Sequence, residues 1–109
     1  IGDGDATIEG AVLLAGPDGF AANAELVVFT NDIAGAITTT SAAAAIGSAS
    51  SNYTFGTTAL FVVDNGSDSA LYRFSSAGPD AFVTAGELTL LATLSGTAST
   101  ALADYVFAS

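Results

Sequence analysis

The sequence contains no cysteine, histidine, methionine or tryptophan, and its one basic residue, Arg73, stands against eleven carboxylates for a net charge of −10. The lack of cysteine excludes disulfides, thiolate zinc sites and thiol catalysis together. With neither histidine nor lysine, a serine hydroxyl has no conventional base beside it, and no glycine-rich phosphate loop follows a strand. A glycosidase-type carboxylate pair would need a cleft that short loops do not build. The chain is therefore expected to be non-catalytic. Nucleic acid and anionic membrane surfaces need Lys or Arg to neutralise phosphate, so neither is an expected partner. No apolar run approaches the ~20 residues of a membrane-spanning helix, and no membrane span is expected.

What is present is an apolar chain with acidic punctuation. Half of its residues are hydrophobic and 11% are charged, whereas a disordered chain combines low hydrophobicity with high net charge. At 109 residues it is expected to form one small domain, large enough to bury a core without staples. The clearest element is residues 58–64, TALFVVD, which ends at Asp64-Asn65-Gly66, a hairpin signal. Residues 69–75, SALYRFS, return with Leu71 and Arg73 on one face and Tyr72 and Phe74 on the other. Further strands are expected at 24–30 and 104–108, and a weaker one at 6–15, where Gly10 interrupts the pattern.

Two helices are expected. One covers about 39–47, with Thr39 or Thr40 as its hydroxyl cap. The other begins at Thr84, where Glu87 completes a capping box and Leu88, Leu91 and Leu94 recur at helical spacing. The fold class is then α/β in the mixed α+β sense: a mostly antiparallel sheet of four to five strands with two helices packed on it. Residues 1–15 read as an N-terminal arm or donor strand, and 16–109 as the globular unit.

Candidate chemistry lies in the acids, because carboxylate and carbonyl oxygens are what Ca²⁺ takes. Asp3 and Asp5 stand two apart between glycines, although a solvated terminus needs no other explanation. Asp64, Asn65 and Asp68 crowd the hairpin tip, where the same residues also serve turn geometry. Counting back from Glu87 as the twelfth position of an EF-hand loop puts Asp80 at the fifth, but Ala81 takes the place of the turn glycine, and a capping role suits Glu87 better. Arg73, between Tyr72 and Phe74, is expected in an ion pair or an aromatic stack. Tyr53, Phe55, Tyr72, Phe82 and Tyr105 are expected in packing rather than on a carbohydrate platform.

The runs TALFVVDNGSDSALYRFSSAG and VTAGELTLLATLSGT, with the closing ALADYVFA, resemble the C-terminal region of large bacterial proteins exported by type I secretion, of the RTX-like and S-layer-like kind. The likeness spans roughly residues 39–109. It implies an extracellular or cell-surface location and an uncleaved export signal, matched at Leu102, Tyr105, Val106 and Phe107. The glycine-aspartate β-roll repeats of such proteins are missing here, so their calcium sites do not carry over.

These readings lead to a secreted structural module whose partner is further copies of itself, in a filament, surface layer or matrix. A strand from 6–15 would be donated to a neighbour, with Ile8, Val12 and Leu14 as its anchors. Calcium or salt would favour assembly by screening the acids. The alternatives are a module that engages the type I secretion machinery, and a calcium-dependent domain adhering to glycans or cells.

Overall fold

The computed structural model describes residues 12–22 and 24–94. Among these residues lie five strands and one α-helix: β1 (Val12–Leu14), β2 (Leu26–Asp32), α1 (Thr39–Ile46), β3 (Thr58–Asp64), β4 (Ser69–Ser75) and β5 (Leu88–Leu94). The strands form a single sheet in the order β1-β2-β3-β4-β5. β1 pairs with β2 and β2 with β3 in parallel, whereas β3–β4 and β4–β5 are antiparallel. The sheet is therefore mixed in equal parts rather than mostly antiparallel. The reason is α1: a helix between β2 and β3 carries the chain back along the sheet, so that the two strands run the same way.

The β3–β4 hairpin matches the sequence expectation to the residue. β2 begins two residues later than expected, after the buried Glu25, and α1 ends at Ile46. Its cap is Thr38, one residue before the expected threonines. The Thr38 hydroxyl accepts from the Ser41 amide at 3.1 Å, and the Ser41 hydroxyl accepts from the Thr38 amide at 2.8 Å. Serine thus takes the part that Glu or Gln plays in the usual box. Gly47 ends the helix with φ of +77°, and a methyl there would collide with the Asp18 carboxylate, which accepts from the Ser48 amide at 2.8 Å. Only glycine fits both conditions.

The second expected helix does not form. Thr84 and Glu87 do pair, but they close one 3-10 turn, Ala85–Glu87, and Leu88 enters β5 at once. Leucines three apart fit a helix, yet the same stretch carries β-branched Thr89 and Thr93 and lies beside the otherwise unpaired edge of β4. Backbone groups at that edge need partners, and tertiary pairing outweighs local spacing.

One face of the sheet holds the main core. Val27, Phe29, Phe61, Val63, Tyr72 and Phe74 meet Ala42 and Ile46 of α1, together with Phe20 and Tyr53 from the loops. Phe61 sits at its centre, with ring centroids 5.3 Å from Phe20 and 5.6 Å from Phe74, both edge-on. The opposite face carries a smaller cluster, Leu26, Val28, Leu60 and Val62, with Leu71 against it. Both faces of β3 are thus buried, as its near-continuous apolar run requires.

Candidate functional site

The acids that the sequence groups together do not gather into a three-ligand cluster among the described residues. Asp3 and Asp5 lie outside the described residues. At the hairpin tip, Asn65 is committed to the turn. Its Oδ1 accepts from the amides of Ser67 and Asp68 at 3.1 and 2.8 Å, and its Nδ2 donates to the Gly35 carbonyl at 2.9 Å. Asp68 lines a cavity of about 170 Å³ with Asn65, Ala70, Tyr72, Leu90 and Thr93, which is below the range of small-molecule pockets.

In the 76–87 loop, Asp80 is exposed and accepts from the Phe82 amide at 2.9 Å. Glu87 is buried and turned inward. One oxygen accepts from Ala77 at 2.8 Å, and the other from the Thr84 amide and hydroxyl at 3.0 and 3.1 Å. Burial, with the Glu87 carboxylate adding to it, pushes the nearby Tyr53 hydroxyl upward, so that group stays protonated. Among the described residues no three acidic, histidine or cysteine side chains gather to hold a metal.

A different set does come together. Asp32 and Asp64 are the last residues of parallel neighbours β2 and β3 and pair across the ladder. Asp64 pairs in turn with Ser69, the first residue of β4. The three form a row across the end of the sheet. Asp64 is 3% exposed; its Oδ1 accepts from the Gly66 amide at 3.2 Å, and it stands in register with Asp32. Burial and the Asp32 carboxylate raise Asp64 to about 6. Beside it, the Ser69 hydroxyl is fully buried and has no hydrogen-bond partner. Neither Asp32 nor Ser69 carries a motif in the sequence. The parallel register, which brings residues 32 positions apart side by side, was the missing signal.

The other notable surface is β5. Among the described residues it pairs on one side only, with β4. All of it after Leu88 is exposed, with Leu90 at 49%, Leu91 at 50% and Leu94 at 37%. Leu90 stands opposite Tyr72 and Leu94 opposite Ser69, while a register shift leaves Leu91 between them. The strand LTLLATL has no charge and no proline.

Arg73 is exposed on β4, opposite Leu60 and Thr89. Tyr53 and Tyr72 are core residues, as expected, but Phe55 and Phe82 are exposed. Of the expected donor strand, Val12 and Leu14 belong to β1 and pair with β2 of their own sheet, while Ile8 lies outside the described residues. Leu102, Tyr105, Val106 and Phe107 lie outside them too. No helix among the described residues is long and apolar enough to cross a membrane. Comparison with known proteins finds no matching family model, no matching curated protein and no matching solved structure.

Proposed function

We propose that this chain is a secreted, non-catalytic structural module that associates with further copies of itself, and that the exposed edge of β5 is where copies meet. The carrying observation is that, among the described residues, β5 pairs on one side only. Soluble proteins ordinarily blunt an edge strand with lysine, proline or a cover, because its free N–H and C=O groups template another strand. β5 has a register shift at Leu91 but neither lysine nor proline, and three leucines stand out from it. Main-chain pairing along such a strand supplies affinity, and its side chains supply register.

Charge favours a second copy at this place. Two chains of −10 repel wherever their acids approach, and the uncharged β5 is a surface on which they can meet with the carboxylates held apart. Salt or calcium shortens the range of the remaining repulsion, to ~8 Å at physiological ionic strength, and so strengthens association. Pairing β5 with itself closes a two-fold dimer, whereas pairing it with the β1 end of the next copy propagates a filament or layer. Donation of residues 6–15 would require β1 to leave β2.

The test is light scattering of the chain over a concentration series, followed by electron microscopy of any assembled fraction. Mass that rises with concentration and with salt is expected. A monomer throughout would set self-association aside in favour of the export reading, which fusion of residues 39–109 to a passenger protein would then examine.

A further inference from the structure

We infer that Asp32, Asp64 and Ser69 form the protein side of a binding site for a hard divalent cation, at the carboxyl ends of β2 and β3. Asp32 and Asp64 stand opposite each other in register there, and both carboxylates border Gly66, whose amide donates to Asp64 Oδ1. Like charges so placed on adjacent strands destabilise a sheet unless something neutralises them. The independent observation is Ser69. Its hydroxyl is fully buried, lies in register with Asp64 and bonds to nothing. An orphaned buried hydroxyl is unfavourable, and a cation held by Asp64 gives its oxygen a partner.

The donor set is all oxygen, which suits calcium rather than a soft metal. Two carboxylates offer up to about four oxygens and the hydroxyl one more. Asp32 stands at the end of its strand, where water completes the shell from the solvent side. Only two acids contribute, which places affinity at the weak end of protein calcium sites, with Kd about 10⁻⁴–10⁻³ M. Gly66 closes the loop above: a methyl there would stand 3.2 Å from Asp32 Oδ2. This inference does not depend on self-association, because it concerns the monomer.

The experiment is a titration of the full ¹⁵N-labelled chain with CaCl₂ at pH about 7.5, read by backbone amide NMR and carried out in a Leu91→Lys background to keep copies apart. Saturating shifts confined to the amides around Asp32, Asp64, Gly66 and Ser69 are expected. Asp32→Asn should weaken the midpoint by tenfold or more. Ser69→Ala, which removes no internal hydrogen bond, should weaken it severalfold while leaving the fold intact. Shifts that drift without saturating, that spread evenly over all the acids, or that keep their midpoint in Asp32→Asn would overturn the site.

Discussion

β3 and β5 are both seven-residue strands of mainly apolar and hydroxyl residues, yet six residues of β3 are buried and six of β5 are exposed. β3 is central, paired on both sides and covered on both faces by apolar side chains. β5 has β4 on one side and, among the described residues, no strand on the other. The same kind of wording therefore serves two purposes, and position in the sheet decides which. In β3 it supplies the core. In β5 it leaves an exposed apolar strand, the surface on which the proposed self-association rests.

Substitutions can break that contrast, and the largest effect belongs to β3. Phe61→Ala removes the ring at the centre of the aromatic cluster and is expected to lower stability by about 3–5 kcal/mol, read from chemical denaturation. Gly47→Ala comes next. It forces a side chain to φ of +77° and drives a methyl into Asp18, at a cost of about 1–3 kcal/mol, measured the same way.

A pH dependence ranks third. Asp64 titrates at about 6 in the fold against 3.8 for an unperturbed aspartate, so the fold holds this proton more tightly than the unfolded chain does. Its contribution to stability is present below pH 3.8 and is lost as the pH rises through about 6. The thermal midpoint in chelator should fall over that interval, with Asp32 as the facing charge. Asp64→Asn should flatten the fall and raise the midpoint at neutral pH; an unchanged slope would contradict the pairing. The smallest effect on the monomer belongs to β5, where Leu91→Lys should change stability by no more than about 0.5 kcal/mol.

How much of this was legible depends on the range of the interaction involved. The β3–β4 hairpin could be read because its turn residues, Asp64-Asn65-Gly66, and its alternating Leu71, Tyr72, Arg73 and Phe74 are local signals. The helix could be read from its alanines, but its cap fell one residue before the expected Thr39 or Thr40, because Ser41 reciprocates with Thr38. β5 was misread as a helix. Leu88, Leu91 and Leu94 satisfy helical spacing, and nothing local records that β4 has an edge in need of a partner. The meeting of Asp32 with Asp64 was illegible for the same reason, since it follows from parallel register across the α1 crossover.

Sedimentation of the wild-type chain beside Leu91→Lys, across a range of concentrations and at two salt levels, tests the self-association claim most directly. The added lysine changes net charge from −10 to −9, so general repulsion weakens slightly, whereas a charge on the edge strand blocks pairing there. The expected result is association in the wild type, stronger in salt, and a monomeric variant. A wild type that stays monomeric, or a variant that associates equally well, would contradict β5 as the meeting edge.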